Sequence, residues 1–286
     1  MKKLLTILLV CLMGLTILAG CANNDAGTTT PPANTDGGSQ PEGEGTEGDG
    51  QGAEADKTFV MGLDDAFAPM GFRDDDGNIV GFDIDLATEV CKRLGYELVL
   101  QPIDWDSKEM ELNNGNIDCI WNGFSITDER LESMTMSVPY IANAQVIIVK
   151  KDSGIAAKED LAGKEIGVQK GSSAKDAVEG DDLAGVISQM SEYPTNVDAF
   201  NDLMAGRVSA VVADVIIAKY YLATDAYADL EIIGDALAPE DYGIGFKKGN
   251  TELKDAVEGA LREMVADGTA AEISAKWFGE DIMAIK

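Results

Sequence analysis

Residues 119–130 read Cys-Ile-Trp-Asn-Gly-Phe-Ser-Ile-Thr-Asp-Glu-Arg. The apolar run Cys119 to Asn122 is short enough for a buried strand, and Thr127 followed by Asp128 and Glu129 reads as a helix start. A hydroxyl there caps free N–H groups, and acidic side chains face the positive end of the helix dipole. This unit of strand, polar loop and helix recurs along the chain. Glu165 to Gln169, Gly171-Ser172-Ser173 and Ala174 to Glu179 make a second copy; Ala210 to Ala213, Asp214 and Val215 to Ala223 make a third. Further strands are predicted at Thr58 to Leu63, Glu97 to Ile103, Gln145 to Lys150 and Ile244 to Lys247. Further helices are predicted at Asp83 to Leu94, Val197 to Ala205, Thr251 to Asp267 and Ala270 to Trp277. Such alternation specifies an α/β fold with largely parallel sheets, and the roughly 230 residues that follow Asp56 fit two lobes better than one.

The N-terminal end has a different composition. Lys2 and Lys3 precede an apolar run from Leu4 to Leu18, the pattern of an export signal, expected over residues 1–20 and absent from the mature chain. Leu18-Ala19-Gly20-Cys21 resembles the lipobox of bacterial lipoproteins, which marks Cys21 as the acylated N-terminal anchor. Acyl chains hold a protein through buried methylenes at about 0.8 kcal/mol each, so two of them attach it stably. From Ala22 to Asp56 there is no bulky apolar residue, Lys or Arg, so residues 21–56 are expected to form a lipidated, disordered acidic tether. As a flexible coil it would span on the order of 30 Å.

Loss of Lys2 and Lys3 takes the net charge from −29 to −31. That balance argues against nucleic acid and anionic headgroups as partners. The absence of histidine excludes Ser-His-Asp hydrolysis, Cys-His catalysis and histidine-containing metal sites. No cofactor is expected. Cys91 and Cys119 remain in an exported, oxidising setting, and whether they pair is left open by the sequence. Asp74-Asp75-Asp76-Gly77-Asn78 has the acidic look of a calcium loop, but with Gly77 as the turn glycine the first ligand position falls on Phe72. A hairpin between Phe72 and Val80 is therefore expected.

Four features, three polar and one aromatic, follow predicted strands, where open α/β sheets place ligand crevices, and together they match a zwitterion. Arg130 lies in the first turn of its helix, where a cation is disfavoured unless an anion is held beside it. A ligand carboxylate fits its planar fork; Asp128 or Glu129 would serve equally as surface partners. Gly171-Ser172-Ser173 is an anion site at a helix start or a plain cap. Asp214 is an ammonium acceptor or a cap. Phe67 and Trp105 could sandwich a side chain or belong to the core.

These residues resemble a known family, the extracellular solute-binding proteins, family 3, which bind polar amino acids for ABC importers. The resemblance is carried by Gly81-Phe82-Asp83-Ile84-Asp85-Leu86-Ala87, by Gly123 to Arg130, and by Asp267-Gly268-Thr269 with Lys276-Trp277-Phe278-Gly279. It implies the two-lobe type II periplasmic binding protein fold, each lobe a mainly parallel sheet flanked by helices. Lobe one would be residues 57–139 plus 243–286 and lobe two 144–237, joined by hinges near 140–143 and 238–242. It implies that Arg130, Ser125 and the Ser173 N–H take an α-carboxylate while Asp214 and the Gly123 carbonyl take the α-ammonium. Phe67 and Trp105 would stack on the side chain, with Asp64, Asn122 and Gln169 lining its far end. Met70-Gly71-Phe72 and Ser107-Lys108-Glu109-Met110-Glu111 depart from the commoner family pattern. The expected protein is a monomeric, non-enzymatic binding lipoprotein on the extracytoplasmic face of the membrane, with an importer permease as partner. The expected ligand is a basic amino acid, then glutamine or cystine. Rival readings are a cyclohexadienyl dehydratase-like enzyme, with Asp64 as general acid, and a sensory or adhesive module.

Overall fold

The computed structural model describes residues 57–285. The export segment, Cys21 and the tether fall outside them. The strands are β1 (Lys57–Leu63), β2 (Ala66–Phe67), β3 (Gly71–Arg73), β4 (Ile79–Val80), β5 (Tyr96–Pro102), β6 (Cys119–Ser125), β7 (Thr135–Met136), β8 (Ile141–Lys150), β9 (Glu165–Gln169), β10 (Gln189–Tyr193), β11 (Ala210–Asp214) and β12 (Leu230–Phe246). The helices are α1 (Phe82–Leu94), α2 (Lys108–Asn114), α3 (Asp128–Ser133), α4 (Ser173–Glu179), α5 (Asn196–Met204), α6 (Val215–Leu222), α7 (Thr251–Asp267) and α8 (Thr269–Phe278).

The large sheet runs β10-β9-β11-β8-β12-β6-β1-β5, with β7 on β12. Two parallel trios sit at its ends: β1 with β5 and β6, and β9 with β10 and β11. Between them the long strands β8 and β12 pair antiparallel, Ile141 to Gln145 against Tyr242 to Ala238, and each also closes one trio antiparallel. The expected parallel sheets are present, and the antiparallel pair makes them one continuous ladder. Crossover helices cover the parallel trios because parallel neighbours need a long connection that returns the chain to the same edge.

Local sequence accounts for the elements. In α1, Phe82, Ile84, Leu86, Ala87, Val90 and Cys91 are buried, Asp83 and Asp85 lie in the first turn and Lys92 and Arg93 in the last, which suits the dipole. Gly81 precedes it at φ 151°, and a Cβ there would lie 2.2 Å from the Met70 carbonyl oxygen. Only glycine fits. In α3 the Thr127 hydroxyl accepts from the Arg130 N–H at 3.3 Å, as the sequence suggests. The acidic stretch forms the β3–β4 hairpin loop, with Asp74 Oδ1 accepting from the Asp76 and Asn78 N–H groups and Gly77 at φ 83°. Among the described residues no acidic cluster could hold a metal ion.

One apolar core extends along the sheet from Phe59, Met61 and Phe82 through Tyr140 and Val146 to Phe200 and Leu203. A second seals the other face of the β8–β11 end, around Ile147, Leu161, Ile166, Val168 and Val212. A third gathers Trp105, Leu112, Ile120 and Phe124. Cys91 and Cys119 are buried free thiols, not a disulfide. Burial alone pushes the Cys91 thiol up to about 12.

Candidate functional site

The carboxyl ends of β1, β6, β9 and β11 converge with the paired stretch of β8 and β12, as expected of a crevice at strand ends. At β6 the backbone turns through Gly123 at φ 55°, and a Cβ there would strike Phe67 at 2.7 Å. The Gly123 N–H donates to Asp83 Oδ2 at 2.8 Å, and the Tyr140 hydroxyl donates to the same oxygen at 2.9 Å. Asp83 is fully buried, and desolvation pushes its carboxyl up to about 7 despite these bonds. The helix that opens at Gly81 is thereby tied to the strand end at Gly123 and to the residue before β8.

One group of predicted residues forms a continuous polar network. The Ser125 hydroxyl donates to Glu240 Oε2 at 2.7 Å, and the Ser173 hydroxyl lies 3.0 Å from Ser125 Oγ and 3.2 Å from the same carboxylate oxygen. Asp214 Oδ1 accepts from the Asn143 and Gln145 amides at 2.5 and 2.9 Å. It therefore does not cap α6, which has no side-chain cap. Burial, then the neighbouring Glu240 charge, push the Asp214 carboxyl up to about 7.

Arg130 borders this network. It is 5% exposed, donates from Nη1 to the Ser125 carbonyl at 2.7 Å and lies with its guanidinium carbon 4.1 Å from the centre of the Phe124 ring. It makes no ion pair with any described residue, so Asp128 and Glu129, both exposed, do not neutralise it at contact range. Burial lowers its pKa, while Asp176, Glu240, Glu109 and Asp214 act in the opposite sense. A cavity of about 610 Å³ opens beside it, lined in part by Lys108, Thr127, Lys170 and Gly171. Lys108 is itself buried, donating to the carbonyls of Gly171 at 2.7 Å and Trp105 at 3.2 Å. Desolvation and the nearby Arg130 lower its pKa to about 8.

A second group lies around Asp64. Gln169 donates to Asp64 Oδ2 at 2.7 Å and accepts from the Asn196 amide at 2.9 Å, while Asn122 Oδ1 accepts from the Asp64 N–H at 3.1 Å. Burial raises the Asp64 pKa against the Ala66 and Gln169 hydrogen bonds. The Asn122 amide nitrogen is buried without a partner. Phe67 packs in the main core and Trp105 stands edge-on to Phe124 at 5.8 Å, so both rings carry core contacts as well as bordering the strand ends.

The ten predicted residues are thus brought together in two adjoining groups. Sequence reasoning missed Glu240, Asn143, Gln145, Lys108 and Asn196. For Lys108 a signal existed, since Ser107-Lys108-Glu109-Met110-Glu111 stands where the family more commonly has an apolar helix start. Asn143, Gln145 and Glu240 are revealed only by the pairing of β8 with β12, and Asn196, the first residue of α5, only by the amide bond it makes to Gln169.

Comparison with known proteins agrees with this architecture. The family model described as bacterial extracellular solute-binding proteins, family 3, matches residues 59–280. The L-cystine-binding protein TcyJ of Escherichia coli K12 is 33% identical over 227 residues, covering 79% of this chain and 84% of the relative. The arginine-binding extracellular protein ArtP of Bacillus subtilis is 32% identical over 224 residues, 78% and 86% of the two chains. An ABC uptake transporter substrate-binding protein from Streptococcus pneumoniae, solved with bound histidine, superposes with a TM-score of 0.77 at 40% identity, covering 79% of this chain and 94% of that one. The relatives named here are binding proteins, and the chain belongs to the bacterial extracellular solute-binding proteins, family 3.

Proposed function

We propose that the protein captures a free polar amino acid between two lobes and hands it to the permease of an ABC importer. The observation that carries this reading is the buried Arg130 guanidinium, without a carboxylate at contact range, beside the Ser125–Ser173–Asp214 network. Arg130, the Ser125 hydroxyl and the Ser173 N–H take the ligand's α-carboxylate; Asp214 and the Gly123 carbonyl take its α-ammonium. Four or five charge-assisted hydrogen bonds at about 1.5 to 3 kcal/mol each suffice for micromolar affinity, which needs roughly 8 kcal/mol.

Lobe one comprises residues 57–139 and 243–286, lobe two 144–237, with hinges near 140–143 and 238–242; the β8–β12 pairing across those hinge residues supports this division. Closure about the paired strands traps the ligand. Bonds from Gln169 to Asp64, Ser173 to Ser125 and Lys108 to Gly171, with the Lys170–Asp106 ion pair at 2.8 Å, already bridge those two sets of residues.

Phe67, Trp105, Asn122 and Gln169 line the side-chain end, and the buried Asp64 carboxyl favours a basic side chain, with glutamine or cystine next. The same carboxyl is what a dehydratase would use as general acid, but the binding-protein relatives favour capture without catalysis. Release of aromatic product from prephenate or arogenate would reverse that choice. The mature chain stands on the extracytoplasmic face of the cytoplasmic membrane as a lipid-anchored monomer, and Cys21→Ala should free it from the membrane fraction. A thermal-shift screen of the twenty amino acids tests the central claim, because a ligand of the folded form raises its melting temperature. No shift with any of them, at millimolar concentration, sinks it.

A further inference from the structure

We propose that Glu240 is a ligand-binding residue, a second carboxylate that faces Asp214 and completes the seat for the ligand's α-ammonium. This rests on the amino-acid reading above and adds to it a residue on the hinge strand. Glu240 stands opposite Asn143 in the β8–β12 register, and its neighbours Pro239 and Asp241 pair with Ala144 and Ala142. The pairing turns its side chain into the network. There Oε2 receives the Ser125 hydroxyl at 2.7 Å, the Gln145 amide at 2.9 Å and the Asn143 amide at 3.3 Å, with the Ser173 hydroxyl at 3.2 Å.

Asp214 Oδ1 receives the same two amides, Asn143 at 2.5 Å and Gln145 at 2.9 Å. Two carboxyl oxygens thus share one pair of NH2 groups. Neutral amides reduce their repulsion but supply no compensating charge, and neither carboxylate forms an ion pair with a described residue. The nearby cations make their close contacts elsewhere, Arg130 with the Ser125 carbonyl and the Phe124 face and Lys108 with the Gly171 and Trp105 carbonyls, so Arg130 acts on the two carboxylates only at longer range. The raised pKa of Asp214, with Glu240 as its second cause after burial, is the electrostatic sign of this unmet demand. A primary ammonium meets it: one positive charge and three N–H donors, one for each carboxylate and one for the Gly123 carbonyl. An N-acylated or deaminated ligand meets neither requirement.

The test is calorimetric titration of the wild-type protein, Glu240→Gln and Glu240→Ala with L-arginine, L-glutamine, L-cystine and the 2-hydroxy acid counterpart of arginine. Both variants should weaken each amino acid that the wild type binds by a common factor of roughly 10 to 100. Binding of the hydroxy acid, which lacks the ammonium, should hold within about threefold, since one partly paired hydrogen bond is the most it loses. An equal loss for amino acid and hydroxy acid would mean that Glu240 merely orders Ser125 and Ser173, and would overturn the proposal. Unchanged or tighter binding by Glu240→Gln would overturn it too, marking the carboxylate as an occupant that the ligand must displace. In either case the amino-acid reading stands. Wild-type protein that binds none of the three amino acids removes that reading and this one together.

Discussion

Replacing Asp83 by Asn should flatten the dependence of stability on pH between pH 5 and 7. In the folded protein this carboxyl is pushed up to about 7, against an ordinary value of 3.8 in the unfolded chain. A raised carboxyl binds its proton more tightly when folded. Its contribution is therefore fully present below pH 4 and is lost as pH rises through the window up to about 7, beyond which it is flat. With those two values, the loss between pH 5 and pH 7 comes to about 2 kcal/mol for this one group. Asp214, also raised to about 7, declines alongside it, whereas Asp267, held near 2 by Thr269 and Arg93, titrates below the window and Lys108, near 8, largely above it. Subtracting the variant from the wild type isolates Asp83. An Asn side chain keeps the carbonyl oxygen that accepts from Gly123 and Tyr140, so the variant should fold. Urea unfolding of ligand-free protein at pH 5, 6, 7 and 8 reads the difference. If the two proteins lose stability in parallel across pH 5 to 7, Asp83 is not the titrating group and the reasoning fails.

Arg130→Ala should abolish binding of every amino acid and Arg130→Lys should weaken it at least tenfold, because a lysine offers no planar fork; titration calorimetry with near-wild-type affinity in either would contradict this. Asp64→Asn should reorder preference among amino acids while leaving the affinity for small ones within a few fold, checked by the same titrations; a uniform loss would refute the division between the two groups of residues. Gly81→Ala puts a Cβ 2.2 Å from the Met70 carbonyl, which also accepts from the Asp83 N–H, so α1 cannot start without losing a bond. A destabilisation of at least about 3 kcal/mol is expected in denaturant titrations. Cys91 and Cys119, both buried and raised, should resist thiol reagents until the protein unfolds; rapid labelling of native protein would contradict that.

Most elements were legible because short apolar runs ended at caps and glycines. Glu165–Gln169 and Thr251–Asp267 have the predicted bounds, and most others differ by a residue or two. β10 was missed because Gln189-Met190-Ser191-Glu192-Tyr193 is a polar edge strand that pairs, among the described residues, with β9 alone. The reach of β12 was missed because Gly234 and Pro239 read as breakers, yet pairing with β8 resumes at Ala238 after a shift of register. For the same reason Glu240 was invisible: in the local run Ala-Pro-Glu-Asp it looks like a solvated turn, and only a partner nearly a hundred residues upstream turns it inward. Asp214 stands out as a charge directly after an apolar strand and Arg130 as a cation in the first turn of its helix, but local sequence leaves a cap and surface partners open for them, and only the family resemblance joins the two in one site.

β12 holds partners at both of its ends, Leu230 to Ile233 on β8 and Gly243 to Phe246 on β6. Neither half can melt without stripping hydrogen bonds from a strand the other half needs. Heating should therefore give one calorimetric transition, with the enthalpy of the whole globule.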